Sequence, residues 1–134
     1  MDSPAPLSPG LGLAVMMNNY LHDVATALLV GSAVALWALL REHRADDGPG
    51  AGRYLLRAEA RLRRLALVAL GWIVLGGVPR AYFFESFEWA NAVGKAQVPA
   101  LVAKHVVIFL LVGLGAWGWR RLRRKVAEVR AAVG

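Results

Sequence analysis

The 134-residue sequence contains no cysteine. This absence excludes disulfide bonds, thiolate metal sites and the covalent attachment of c-type haem, each of which requires a cysteine sulfur atom. A phosphate-binding GxxxxGKS/T loop and a zinc-protease HExxH motif are also missing. The chain therefore lacks the common sequence features of a self-contained enzyme.

Acidic residues are scarce. The chain has nine aspartates and glutamates and 16 lysines and arginines, which gives a net charge of +7. Such an excess can indicate nucleic-acid binding. Here, however, 13 of the 16 basic residues lie in two segments that adjoin long apolar runs. This distribution is typical of a membrane protein, in which basic residues set the topology and bind anionic lipid. We therefore expect lipid, and no nucleic acid, as the partner of these residues.

Apolar residues make up 57% of the chain and are concentrated in residues 20–40, 65–78 and 98–119. About 20 apolar residues in a helix cross the ~30 Å hydrocarbon layer of a bilayer. The sequence therefore predicts an all-α integral membrane protein with three transmembrane helices. The predicted segments are a flexible periplasmic arm (1–15), the first transmembrane helix (16–41), a cytoplasmic loop and helix extension (42–61), the second transmembrane helix (62–80), a periplasmic interfacial segment (81–97), the third transmembrane helix (98–119) and a basic cytoplasmic tail (120–134).

The positions of the basic residues predict the orientation of the chain. The loop after the first apolar run and the C-terminal tail carry Arg41, Arg44, Arg53, Arg57, Arg61, Arg63, Arg64, Arg120, Arg121, Arg123, Arg124, Lys125 and Arg130. By the positive-inside rule this loop and the C-terminus are cytoplasmic, and the N-terminus is outside. Trp37, Trp117 and Trp119 are predicted to lie at the inner interface, where tryptophan is enriched.

Two histidines and an arginine fall within the predicted transmembrane helices. If Leu40 and Trp119 mark the same inner level, a rise of 1.5 Å per residue places His22 about 27 Å and His105 about 21 Å above it. Arg80, at the end of the second helix, is then at about the height of His22. Ionisable groups at membrane depth are costly and are candidates for function. The three side chains are thus expected to meet near the periplasmic face.

Two imidazoles from facing helices are a suitable ligand pair for the iron of b-type haem. We therefore expect His22 and His105 to be metal ligands of haem b, with Arg80 and Lys104 near its propionates. Asp23 is expected to accept a hydrogen bond from a ligand or to balance one of the cations. The expected function is electron transfer within a respiratory or photosynthetic complex, with electrons exchanged with quinone or a periplasmic donor.

Two alternatives fit the same residues. In the first, His22 only solvates the start of its helix, His105 pairs with Asp23, and the protein is a cofactor-free accessory subunit or scaffold of a membrane complex. In the second, Met16 and Met17 act with His22 as soft ligands in a copper-handling protein.

Residues 101–109 (LVAKHVVIF), followed by glycines and an arginine cluster, resemble a helix of the small bacterial membrane proteins related to the copper-resistance D family. The Leu21-His22 start of the first apolar run also resembles theirs. The resemblance implies a multi-helix protein of the bacterial inner membrane with a haem or metal site. Because three helices rarely enclose a porphyrin, we expect a homodimer or a complex with other membrane subunits.

Overall fold

The computed structural model describes residues 8–44 and 47–133, nearly all of which are helical and none of which is in a strand. The elements are α1 (Pro9–Glu42), α2 (Gly48–Tyr82), a π-helical segment (Phe84–Trp89), α3 (Ala90–Gly94) and α4 (Val98–Val133). Each of α1, α2 and α4 is long and apolar enough to cross a membrane. The predicted all-α fold with three candidate transmembrane helices is therefore confirmed.

A proline and a short polar side chain determine where α1 begins. Ser8 Oγ accepts a hydrogen bond from the Leu11 amide at 3.4 Å, and Pro9 occupies the first turn, so α1 begins seven residues before the predicted start of the span. Residues 1–7 of the predicted arm lie outside the described residues. α2 continues without a break through residues 53–64, as predicted for a helix extension.

α1 packs against α4 through small residues. A Cβ atom at Gly115 would lie 3.1 Å from Leu29 Cγ, and one at Gly118 would lie 3.8 Å from Ala33 Cβ. Small residues of this kind let helix backbones approach closely inside a membrane. Gly113, Gly115 and Gly118 also have the spacing of a dinucleotide-binding GxGxxG motif. They lie within one continuous helix, however, and not at the strand-to-helix turn that this motif requires.

Trp119 packs in the core of the bundle. Its side chain is buried, and its Nε1 donates a hydrogen bond to Ser32 Oγ at 3.2 Å. Ser32 precedes Leu40 by eight residues, or about 12 Å of helix. The expectation that Leu40 and Trp119 share one level is therefore wrong, because α4 is shifted along α1 by about two turns.

The corresponding level in α2 is near Arg63. His22 Nε2 lies 3.1 Å from the Ile73 carbonyl oxygen, and a step of ten residues along each antiparallel helix leads from this pair to Ser32 and Arg63. Arg120 lies at the same level on α4. Since basic residues begin there on both α2 and α4, we take this level as the edge of the hydrocarbon layer and call it the basic boundary.

The helix ends agree with this boundary. From the basic boundary, 20 residues of helix span about 30 Å and end at residue 83 in α2 and at residue 99 in α4. α2 ends at Tyr82 and α4 begins at Val98. His22 then lies about 15 Å and His105 about 21 Å from the basic boundary. His22 is thus near the middle of the hydrocarbon layer, and His105 is the outer of the two, the reverse of the expected order.

Beyond the basic boundary the three long helices continue as a packed bundle. Leu36 is fully buried and belongs to one apolar cluster with Leu122 and Val126. Further along, Gly52 of α2 packs against Val133 of α4. A compact apolar core is stabilised in water by the hydrophobic effect. The basic end is therefore a continuation of the bundle.

Candidate functional site

Six ionisable side chains meet inside the bundle, in the half of the hydrocarbon layer away from the basic boundary. We call this group the polar cluster. Its members are His22 and Asp23 from α1, Arg80 from α2, Glu88 from the π-helical segment, and Lys104 and His105 from α4. The structure thus brings together all five predicted site residues and adds Glu88, which was not predicted.

Arg80 is the centre of the polar cluster, and its side chain is 8% exposed. Its Nε lies 2.9 Å from Glu88 Oε1, and its Nη1 donates a hydrogen bond to Asp23 Oδ1 at 3.0 Å. A third contact, of 3.4 Å, runs from Nη2 to Glu88 Oε2. The guanidinium has a planar fork of donors, so it can bind two carboxylates at once. Arg80 thereby links α2 both to α1 and to the π-helical segment.

Asp23 is shared between two cations. Lys104 Nζ lies 2.8 Å from Asp23 Oδ2, while Arg80 occupies the other carboxylate oxygen. The two expected propionate-binding cations therefore pair with carboxylates of the protein itself. Two cations and two carboxylates balance in charge, which lowers the cost of placing them at membrane depth.

The hydrogen-bond partners of His22 determine its tautomer. The Ile73 carbonyl oxygen, 3.1 Å from Nε2, can only accept, so Nε2 carries the hydrogen. Nδ1 is then the acceptor, and it faces Arg80 Nη1 at 3.4 Å. The side chain is buried. His22 is thus a neutral imidazole held between α1 and α2.

His105 has a different arrangement. Its Nδ1 lies 2.8 Å from the Leu101 carbonyl oxygen and must donate, because that oxygen can only accept. Its Nε2 lies 3.3 Å from Glu88 Oε2. His105 therefore lies against Glu88, in place of the His105–Asp23 pair considered from the sequence.

Glu88 gave little signal in the sequence. It lies in the aromatic segment FFESFEW, which was predicted to rest in the headgroup layer. The π-helical path of residues 84–89 turns Glu88 inward, where its side chain is 9% exposed. An acidic residue in an aromatic segment next to a membrane-depth arginine is the only indication that the sequence offered.

A cavity of about 600 Å³ lies beside the polar cluster, between α2 and α4. We call it the α2–α4 cavity. Its lining residues include His22, Arg80, His105 and Phe84, and the others are apolar and include Phe109 and Val112. The Phe84 and His105 rings meet edge to face, with their centroids 5.4 Å apart. The two predicted haem ligands thus border one apolar space.

The imidazole nitrogens themselves are occupied. Each of the four ring nitrogens of His22 and His105 has a protein partner within 3.4 Å. To ligate iron through Nε2, His22 has to leave the Ile73 carbonyl and His105 has to leave Glu88. The two imidazoles are therefore engaged within the protein, and binding of haem requires a rearrangement of the polar cluster.

Met16 and His22 line different cavities. Met16 lines a separate cavity with Asp23 and Lys104, whereas His22 lines the α2–α4 cavity. Within residues 8–44 and 47–133, no group of three or more histidine, cysteine, aspartate or glutamate side chains is placed to hold a metal ion. The structure thus adds no support for the copper alternative.

Comparison with protein-family models, with curated proteins and with solved structures finds no match for this chain. The polar cluster and the cavity beside it are therefore the features of the chain that point to a function.

Proposed function

We propose that this protein is an accessory subunit of a membrane complex that carries no redox cofactor of its own, in which the polar cluster locks three helices together. The observation that carries this proposal is that the six side chains pair with one another across α1, α2, the π-helical segment and α4. The Nε2 atoms of His22 and His105, which would ligate iron, are engaged with Ile73 and Glu88.

The proposed setting is the bacterial inner membrane, with the N-terminus outside and the basic end in the cytoplasm. The arginine-rich ends of α2 and α4 support this orientation through the positive-inside rule, and they would also hold anionic lipid. Few residues in the most apolar part of α4 are buried within the chain, so their exposed side chains are available to lipid, to other subunits or to a second copy.

A complex with defined composition is the expected result when the tagged full chain is extracted from its native membrane in a mild detergent. Native mass spectrometry should then give a mass above that of the 14.5 kDa chain, with fixed ratios of the components. If the chain instead appears only as a monomer with bound lipid, the accessory role is refuted.

Electron transfer through haem b is the second candidate function. The observation that favours it is that His22 and His105, from different helices, line the same apolar cavity with Arg80. When bound there, haem would supply a one-electron redox centre. His22 and His105 would hold it, and Arg80 would be the nearest cation for its propionates.

A reduced-minus-oxidised visible spectrum separates the two candidates. The protein is produced with ample haem supply, purified and reduced with dithionite. The accessory role predicts no absorption band of reduced b-type haem. The electron-transfer role predicts one haem per chain, which is lost in His22→Ala and His105→Ala and kept in His43→Ala, a matched control in the short connection between α1 and α2. A band that survives both cluster variants would contradict the assigned ligands.

A further inference from the structure

A cleft between α1 and α4 crosses the basic boundary. It consists of a cavity of about 420 Å³ and a smaller one of about 270 Å³, which share Trp37, Leu122 and Lys125. We call it the α1–α4 cleft. Leu114, which lines it, lies about 9 Å inside the hydrocarbon layer, whereas Arg121 and Lys125 lie about 1.5 and 7.5 Å outside it. The headgroup region extends about 5–8 Å beyond the hydrocarbon on each side of a bilayer. Both cations therefore lie at the height of lipid phosphate groups.

We propose that the α1–α4 cleft binds an anionic glycerophospholipid of the cytoplasmic leaflet, with a phosphate group at Arg121 and Lys125 and an acyl chain along the apolar part of the cleft. The proposal assigns one defined site within the general attraction of the basic end for lipid. It rests on the membrane setting and orientation proposed above, and it does not depend on the accessory role.

The charge of the α1–α4 cleft is of one sign. Its lining includes Arg41, Arg121 and Lys125, and no acidic side chain belongs to the set of described residues that line it. In the part of the chain that the structure describes, none of these three cations forms an ion pair. They differ in this respect from Arg80, whose guanidinium contacts two carboxylates. A cleft lined by one sign of charge concentrates counter-ions, and phosphate oxygens suit guanidinium and ammonium donors.

Two tryptophans hold the arginines of the cleft in place. Arg41 Cζ lies 5.3 Å from the centroid of the Trp37 ring, and Arg121 Cζ lies 5.4 Å from that of Trp117. This contact joins the positive charge to the π-face of the ring, so it restrains the guanidinium and offers no acceptor to its N–H groups. A restrained side chain also loses less entropy when a ligand binds. The arginines are thus positioned for an anion that the protein itself does not supply.

The apolar part of the cleft identifies the anion as a lipid. Val30, Leu114 and Gly115 line it on the hydrocarbon side of the basic boundary, and Leu114 is exposed on the surface of the bundle. A free phosphate ion would leave this apolar wall uncovered. An uncharged lipid would leave the three cations without a counter-charge. A phospholipid with a net negative charge matches both parts of the cleft, because its acyl chains and its phosphate lie on the same two sides of the boundary.

Lipid binding to the delipidated full chain in a neutral detergent, measured by native mass spectrometry, tests the proposal. The first dioleoyl phosphatidylglycerol should bind at least tenfold more tightly than dioleoyl phosphatidylcholine. Arg121→Gln combined with Lys125→Gln should weaken its binding at least fivefold. The matched control is Arg120→Gln combined with Arg124→Gln, which removes the same charge from exposed positions with the same spacing that line neither cavity. It should bind within twofold of the parent chain, and both double variants should keep the far-ultraviolet circular dichroism of the parent.

A further arm separates a lipid from a free phosphate. Glycerophosphoglycerol, which carries the headgroup without acyl chains, and inorganic phosphate should not displace the bound lipid at millimolar concentration. Displacement by either would overturn the proposal and identify a phosphate site. Equal weakening in the two double variants would also overturn it, because lipid would then follow the total charge of the basic end. Equal affinity for the two lipids would do the same and identify an acyl-chain groove. Each result is read from bound lipid and not from the mass of a complex, so it leaves the test of the accessory role separate.

Discussion

Replacement of Arg80 by glutamine is the most direct test of the polar cluster as a helix lock. The change removes a guanidinium that contacts Glu88 at 2.9 and 3.4 Å and Asp23 at 3.0 Å. Asp23 keeps Lys104 at 2.8 Å, so the larger part of the loss is expected at Glu88. Glu88 is almost fully buried and keeps only His105. Removal of one partner of a buried ion pair costs about 3–5 kcal/mol, and we expect a free-energy loss in that range.

The assay is reversible unfolding in mixed micelles with increasing SDS, followed by far-ultraviolet circular dichroism. Exposed Arg124→Gln is the control and should cost no more than about 1 kcal/mol. Arg80→Lys keeps the charge without the fork and should fall between the two. Arg80→Gln combined with Glu88→Gln should be less destabilising than Arg80→Gln alone, because no unpaired carboxylate is left buried. If Arg80→Gln unfolds like Arg124→Gln, the lock is refuted.

Three further outcomes follow from the packing and the orientation. Gly115→Val should destabilise the bundle by about 1–3 kcal/mol, because a Cβ there would press on Leu29. Gly113→Val should be near neutral, because a Cβ there meets no atom within 4 Å. Equal effects of the two changes in SDS unfolding would contradict the α1–α4 interface. Trp119→Phe should cost about 1 kcal/mol through loss of the bond to Ser32, and an unchanged midpoint would argue against the register shift. Because the chain has no cysteine, single cysteines at Asn91 and Ala127 can be labelled with an impermeant maleimide in intact cells. Only the first should react, and the reverse result would invert the proposed topology.

The fold was predictable because its signals are local. Hydropathy identified three helices, and the arginines of residues 53–64 indicated that α2 extends beyond the membrane. The relative height of the helices was not predictable, because it is set by contacts between distant residues. The bond from Trp119 to Ser32 is one of these, and it places α4 about two turns along α1 from the expected register.

The sequence predicted which residues belong to the candidate site better than it predicted which of them pair with each other. His22, Asp23, Arg80, Lys104 and His105 stood out because ionisable residues are rare in apolar helices. Their partners depended on the path of the chain between α2 and α4. The π-helical segment brings Glu88 inward to Arg80 and His105, and no periodicity in FFESFEW indicates such a path.

The continuation of the three helices past the basic boundary affects how the arginines of that end can act. Charges on a flexible tail can adapt to the surface that they contact. Here the arginines lie on rigid helices, and α2 extends about 20 Å beyond Arg63. Each guanidinium is held at a set height and direction. A protein that docks there must match this pattern. A tilt of the helices at the polar cluster would displace the basic end of the bundle by a larger distance.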